Sequence, residues 1–457
     1  MSQHCGRGPF NAEAALKALR EKHQGDDEKL AQQIKKLALA NDDPFLMYEY
    51  GMVKLRHGDG ASADKLLSRM GATYRLRAPC FMPPLYRSAF KHGPGMAASR
   101  YRNQVAAFDD VLPEAVLGAL EKAFQPTAAF WSFHNYPTDK FFSYNVSLDN
   151  VGRSGGDEPA AKKPRVAQAE LIRQIAQYLL PLVTGEMKEL DKINDIQSVE
   201  WWAHAREGVS VGHQMHFDLD ELALPDAVRH PVVSCVLYFD SEGPPTLVTN
   251  QSVNSELEAS VAWQCEPKRN RLLMFNGRNL HGVVPNGVIS SQPRLTLMMG
   301  FWSNVTKSAA PAAGGPFGPN MGIPTADWVK QFDALDTSAF DKPLTTTEAL
   351  ISYPIRPVWR KVTETTKPPS KRHPFSLIGG WILSHHPAEL QTKLRRVPAD
   401  QQAEAAAESG EESSETDPEQ ESGDVELDEV PQIEVGEVSM EEFLKLREAS
   451  QNKSVAS

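Results

Sequence analysis

Apolar residues recur every three to four positions over residues 12–21 and 26–39, embedded among Ala, Leu, Lys and Gln, and that spacing predicts two amphipathic helices. A further helical stretch covers 64–70, so residues 1–105 read as an N-terminal helical region. Asp109-Asp110-Val111-Leu112-Pro113-Glu114 then combines a capping aspartate, a proline and an acid. That is a helix-start signature, and it stands ahead of the apolar stripe Val116, Leu117, Leu120 and Phe124.

From Phe130 onward the period shortens from helical to strand-like. Residues 141–148, 198–204, 232–239, 246–249, 271–275 and 294–302 are β-branched or aromatic runs separated by Gly, Pro, Asn and Asp. Strands in succession without intervening helices predict an antiparallel barrel or sandwich, the jelly roll being one such form. The fold class is therefore α+β, with a β core over 106–305 preceded by helices. A polar insertion, GGDEPAAKKPR, interrupts the core within 152–166 and leads into a helical pattern over 167–180. Beyond Val305 proline and glycine become dense, and residues 306–397 read as an extension of loops and short helices such as 327–332. Residues 398–457 are Glu, Ser, Ala, Gln and Asp with almost no aromatics. Such a composition cannot bury enough apolar surface to offset chain entropy, which predicts a disordered tail with one candidate partner-bound helix at 440–446.

Charge sharpens this division. The 457 residues carry a formal net charge of −11. Residues 401–457 alone hold 17 acidic against 3 basic side chains, a net of −14, which leaves +3 for residues 1–400. The acidity belongs to the tail, a candidate for binding a basic protein, while the near-neutral body is compatible with an anionic ligand and does not exclude nucleic acid. The four cysteines, Cys5, Cys80, Cys235 and Cys265, form no CxxC pair. They predict neither a disulfide framework nor a zinc site. The charged N-terminus lacks an apolar signal core, and no window approaches about 18 consecutive apolar residues. Together these features predict a cytoplasmic or nuclear protein with no membrane partner.

Chemistry concentrates near the middle of the chain. His216-Phe217-Asp218 follows Trp201-Trp202 and Gly212 and precedes the strand at 232–239. HxD alone is weak, because a chain with 13 histidines is expected to hold about one by chance at average Asp usage. Indeed His57-Gly58-Asp59 has the same pattern in a Gly-containing turn between helices. What distinguishes the second HxD is its sequel: His281 comes 63 residues after Asp218, and Arg294 thirteen after His281. Two imidazoles and one carboxylate on a β scaffold make the facial triad of a non-haem Fe(II) site, which leaves the opposite face of the metal open for oxygen chemistry. His216 and Asp218 stand two apart on an extended chain and so share a face, while His281 arrives from another strand.

Arg294 opens RLTLMMGFW, where Arg294, Thr296, Met298 and Gly300 share a face. An inward arginine is costly unless a carboxylate pairs with it, and the far end of a metal-chelating dicarboxylate would supply one. Thr296 lies on the same face, and Tyr238, co-facial with Ser234 and Val236 in SCVLYFD, is placed to donate to the same carboxylate.

The ordered set His216-x-Asp218, His281, Arg294-x-Thr296 resembles the 2-oxoglutarate- and Fe(II)-dependent dioxygenases. SCVLYFD is similar to a strand of the prolyl-hydroxylase-like members, and WWAHAREGVSVGHQMHFDLDE, GPPTLVTNQ and NGRNLHGVVP to a plant and algal branch. The resemblance spans residues 108–304. It implies a double-stranded β-helix in which His216, Asp218 and His281 bind and activate Fe(II). It further implies that Arg294, Tyr238 and Thr296 bind 2-oxoglutarate, and that O2 and 2-oxoglutarate are consumed to give succinate, CO2 and a hydroxylated primary substrate, with ascorbate a candidate reductant. The primary substrate, a protein side chain or a small molecule, is not specified by it. Pro244 departs from the pattern, since a Gly-Gly pair commonly precedes the next strand.

Other signals have plainer readings. Strict alternation turns His213 away from His216, toward a structural or substrate-side role. The aromatic run at 130–144 belongs to core strands more often than to a substrate mouth. Lys162-Lys163-Pro164-Arg165 resembles a short nuclear-import signal, although such tetrads are usually solvated loop charge. From a different class, a jelly roll that binds partners through its acidic tail without catalysis is the alternative.

Overall fold

The computed structural model describes residues 12–23, 26–41, 43–82, 100–134, 142–148, 168–206, 212–224, 226–240, 242–253, 255, 257–285, 294–309, 317–322, 337–352, 354–363 and 377–390. The insertion at 152–166, the basic tetrad, residues 327–332 and the acidic tail lie outside them. The helices are α1 (Ala12–Lys22), α2 (Asp27–Asn41), α3 (Pro44–Arg56), α4 (Gly60–Arg69), α5 (Glu114–Phe124), α6 (Ala129–His134) and α7 (Gln168–Glu186). The strands are β1 (Tyr74–Leu76), β2 (Arg100–Tyr101), β3 (Val105–Asp109), β4 (Tyr144–Ser147), β5 (Ser198–Arg206), β6 (His213–His216), β7 (Val233–Tyr238) and β8 (Thr246–Ser252), followed by β9 (Ala262–Cys265), β10 (Arg271–Asn276), β11 (Asn279–Val283), β12 (Arg294–Trp302), β13 (Thr347–Glu348), β14 (Trp359–Lys361), β15 (Leu377–Ile378) and β16 (Ile382–Leu383).

Local chemistry explains the N-terminal elements. Asp43 accepts a hydrogen bond from the Leu46 N–H at 2.9 Å with Pro44 in the first turn, and Asp59 accepts from the Ser62 N–H at 3.1 Å. Each aspartate satisfies an otherwise orphaned donor at a helix start. Two expectations change here. The region read as helical, 1–105, also contains β1, β2 and the first residue of β3, and Asp109 does not cap α5. Pro113 occupies that cap without a side-chain bond, while Asp109 ends β3 and binds Arg271 at 2.7 Å and Lys268 at 2.7 Å.

All ladders between the named strands are antiparallel, in an assembly of mixed helices and sheets. The large sheet runs β13-β3-β10-β7-β12-β5-β4 with β2 on β3, a second runs β6-β11-β8-β9, and a third β14-β1-β16-β15. Val105, Trp202, Val236, Tyr238 and Met298 of the first share one core with Val248, Trp263 and Cys265 of the second, so these two sheets face each other. On the large sheet's outer face α5 and α7 bury Val116, Leu120, Ile175 and Leu179 against Trp201, Leu237 and Phe301. On the second sheet's outer face α3, α4 and the third sheet bury Tyr48, Leu67, Leu76 and Ile382 against Met215, Phe217, Leu247 and Leu280. Residues after Val305 bond both edges of that second sheet: Ile355 exchanges hydrogen bonds with Ala262, and Met215 N–H donates to the Gly379 carbonyl. Paired edges offer no template for further strands. No helix among the described residues is long and apolar enough to cross a membrane.

Candidate active site

Two paired strands, β6 and β11, bring His216, Asp218 and His281 together. His216 ends β6, Asp218 follows two residues on, and His281 sits in β11 directly opposite His216 in the ladder. One ligand atom from each residue lies within 4.8 Å of the others, and the two imidazole centroids are 4.3 Å apart. Both Nε2 atoms lie 3.6 Å from the same carboxylate oxygen, Asp218 Oδ1.

Hydrogen bonds behind the three side chains fix their orientation. His216 Nδ1 lies 2.8 Å from the Gln214 carbonyl and His281 Nδ1 lies 3.0 Å from that of Asn279. A carbonyl only accepts, so both Nδ1 atoms carry a proton, and in the neutral imidazole each Nε2 keeps its lone pair for a metal. Ser234 donates to Asp218 Oδ2 at 2.6 Å, which ties one carboxylate oxygen and leaves Oδ1 toward the imidazoles. His281 is 2% exposed and its Nε2 has no hydrogen-bond partner, while His216 is 27% and Asp218 8% exposed. In their neutral form, two imidazoles aiming lone pairs at one carboxylate oxygen repel it unless a cation sits between them. Two nitrogens and one oxygen are the donors a divalent iron takes in a facial triad.

The anion-binding candidates form a second cluster. Arg294, 6% exposed, donates from Nη2 to Thr246 Oγ1 at 3.1 Å, and its guanidinium lies 5.2 Å from the Tyr238 ring centroid. Tyr238 OH donates to the same Thr246 oxygen at 2.7 Å. Burial pushes the Tyr238 phenol well above its ordinary pKa, so it keeps its proton. Thr296 pairs with Tyr238 across the ladder, and its fully buried Oγ1 has no hydrogen-bond partner. Despite Pro244, the β7–β8 loop closes over this cluster: Gly243, at φ +118°, approaches so near that a Cβ there would lie 3.2 Å from Arg294 Cδ. Thr246, the hub of the cluster, escaped the sequence reading because a threonine in a β-branched strand looks like propensity; only its parity with Val248 carried a signal.

Other residues separate or move. His57-Gly58-Asp59 is a helix–helix turn, with His57 at the C-terminal cap of α3 and Asp59 at the N-terminal cap of α4. Among the described residues the only group of three or more such side chains able to hold a metal is His216, Asp218 and His281. His213 corrects the alternation argument. Three steps along β6, from His213 to His216, oppose two along β11, from Val283 to His281, so a bulge brings the His213 ring to 4.8 Å from that of His216. The aromatic run begins as helix α6 and not as strand. Phe130, His134, Phe142 and Tyr144 are buried in the outer core, and burial lowers the His134 pKa to about 4. Glu200 was missed altogether. It is buried on β5, accepts from Ser143 Oγ and from Trp302 Nε1 at 3.0 Å, and titrates at about 8 because of its burial, with the Asp218 charge adding to the rise.

No family model matches this chain, and no curated protein matches it. Solved structures similar to it include a Pseudomonas putida prolyl-4-hydroxylase, at 22% identity and a TM-score of 0.22, covering 31% of this chain and 70% of that one. HygX from Streptomyces hygroscopicus with nickel and 2-oxoglutarate bound is similar at 10% identity and a TM-score of 0.26, covering 48% and 92%. EvdO2 from Micromonospora carbonacea var. aurantiaca complexed with 2-oxoglutarate is similar at 13% identity and 0.28, covering 48% and 97%. At these TM-scores the likenesses carry no functional weight, which falls on the site itself.

Proposed function

We propose that this protein is a 2-oxoglutarate- and Fe(II)-dependent dioxygenase acting as a hydroxylase, with the two facing sheets forming a double-stranded β-helix. The observation that carries the reading is the pair of Nε2 atoms, each with its Nδ1 tied to a carbonyl and each 3.6 Å from one Asp218 oxygen. His216, Asp218 and His281 would hold the iron, which when bound supplies activation of O2 coupled to oxidation of 2-oxoglutarate to succinate and CO2.

The chain's own residues have separable tasks in this reading. Ser234 fixes the Asp218 carboxylate, and the Gln214 and Asn279 carbonyls fix the ring orientations. His281 lies opposite Val248, and Thr246 is two residues further along β8, about 7 Å at strand rise. That offset suits a short dicarboxylate reaching from the metal to Arg294. Arg294 and Thr296 would donate to its distal carboxylate with Tyr238 packed beside them, in a buried setting where charge-assisted bonds are strong. His216, the most exposed of the three, marks the side from which a primary substrate would approach.

The test is to incubate the purified protein with Fe(II), ascorbate and 2-oxoglutarate and to follow succinate. Slow substrate-independent turnover is expected in the wild type and none in His216→Ala. No turnover in a wild type shown to hold iron would sink the 2-oxoglutarate assignment and leave the non-catalytic reading standing.

A further inference from the structure

The strand that carries His216 has two faces, and the second one points at parts of the chain that the proposed chemistry does not use. Met215 and Phe217 alternate with His216 and Asp218, and both are buried in the core built by α3, α4 and the third sheet. β6 is also an edge strand, bonded on one side only by β11. On its other side the Met215 N–H donates to the Gly379 carbonyl at 2.6 Å.

That contact requires a particular turn. Gly379 and Gly380 follow each other at φ +59° and +75°, the left-handed region that favours glycine. A Cβ on Gly380 would lie 2.9 Å from Met215 Cβ, and one on Gly379 would lie 2.0 Å from the Trp381 ring. The turn is thus pressed onto the backbone of the metal-ligand strand, with the indole folded back over it. Trp381, 3% exposed, reaches to within 3.2 Å of where a Cβ of Gly212 would stand, and Gly212 enters β6 at φ +76°. The indole Nε1 donates to the Tyr48 hydroxyl of α3, and the Trp381 carbonyl accepts from the Leu76 N–H of β1 at 2.8 Å. An unbroken series of contacts therefore runs from the N-terminal helices through Trp381 and the Gly379-Gly380 turn to the residues flanking His216.

We propose that Trp381, held by Tyr48, is a positioning residue for the metal site: it clamps the Gly379-Gly380 turn against Met215 and so sets where His216 and Asp218 stand relative to His281. The N-terminal helices and the segment after Val305 are then structural parts of the site. This inference rests on the metal reading of His216, Asp218 and His281.

Two readouts on the full-length protein test it, one independent of the metal. Trp381→Phe keeps an aromatic ring but removes the indole donor and part of its reach. Co(II) titration followed by d–d absorption should show a dissociation constant raised on the order of tenfold with an altered ligand-field spectrum, the scale seen when supports of metal ligands are removed. Hydrogen exchange of the peptide spanning 212–218 should accelerate at the Met215 amide. Leu67→Ala, in the same core but away from β6, controls for lost stability: it should lower Tm while leaving the Co(II) constant, the spectrum and the exchange of 212–218 at wild-type values. Unchanged metal affinity and unchanged exchange in Trp381→Phe overturn the clamp, as does an equal loss of affinity in Leu67→Ala. Should wild type and His216→Ala be alike in failing to bind Co(II), the metal reading fails, and the exchange measurement alone then decides whether Trp381 holds the strand.

Discussion

At the scale of single residues, direction matters as much as proximity. His216 and His57 both belong to an HxD pattern; His216 has its Nδ1 tied to a carbonyl and its Nε2 turned toward a carboxylate, whereas His57 stands at the C-terminal cap of α3 in a helix–helix turn. His216→Ala should abolish Fe(II) or Co(II) binding and His57→Ala leave it unchanged, as read by metal titration; the reverse would place the site at the wrong motif. Arg294→Ala should raise the KM for 2-oxoglutarate roughly ten- to a hundredfold, the equivalent of about 1.5–3 kcal/mol for a charged hydrogen bond. Thr246→Val, which removes the oxygen shared by Arg294 and Tyr238, should raise it less. Glu200 predicts a pH effect. Its carboxyl titrates ordinarily near 4.5 and at about 8 when folded, so between those values the native state keeps a proton that the unfolded chain has lost. Its contribution is present in full below about 4.5, is lost as pH rises through 8, and is flat above. Melting of Glu200→Gln between pH 5 and 8.5 should therefore decline less than that of the wild type, by on the order of a few kcal/mol.

At the scale of elements, β-branched and aromatic runs such as those holding β4 and β12 were legible, and β6 and β9 were not. RLTLMMGFW reads as a strand from its composition, and β12 covers those same residues, Arg294–Trp302. The four residues of β6, HQMH, carry no β-branched side chain and offer no such signal; they are extended because β11 pairs on one side and Gly379 bonds on the other. β9 is likewise brief and rests on β8 and Ile355. The misread helix start at Asp109 has the same origin, because its cation partners, Lys268 and Arg271, come from more than 150 residues away. β1 is anchored by a buried ion pair, Arg75 Nε to Asp64 Oδ1 at 2.6 Å, both side chains at most 1% exposed. Arg75→Met leaves the buried Asp64 carboxylate with the more distant Arg360 Nε, 3.7 Å away, as its cation, so the change should cost up to about 3–5 kcal/mol in urea unfolding, and the double change Arg75→Met with Asp64→Leu should recover part of it.

At the scale of the whole molecule, ligands and folding are coupled. A metal that binds only the native site stabilises by about 2.7 kcal/mol at one hundred times its dissociation constant, so Co(II) should raise Tm in the wild type and not in His216→Ala. The −11 of the full chain divides into −14 beyond residue 400 and +3 before it, so truncation after Asp400 should raise the isoelectric point while the Co(II) constant stays unchanged. Much of the candidate site was determined by the sequence alone: the order HxD, His, Arg is a linear fact, and the alternation that puts Arg294 and Thr296 on one face follows from strand geometry. Tertiary structure decided the rest. Only folding shows that both imidazoles aim at one oxygen, that a bulge turns His213 toward His216, and that Trp381 bonds Tyr48 while the turn before it bonds Met215. The physical reason is that covalent order and side-chain period are local properties of the chain. Register shift and edge support come instead from contacts between segments distant in the chain, β11 with β6 and Gly379 with Met215, whose packing no local pattern encodes.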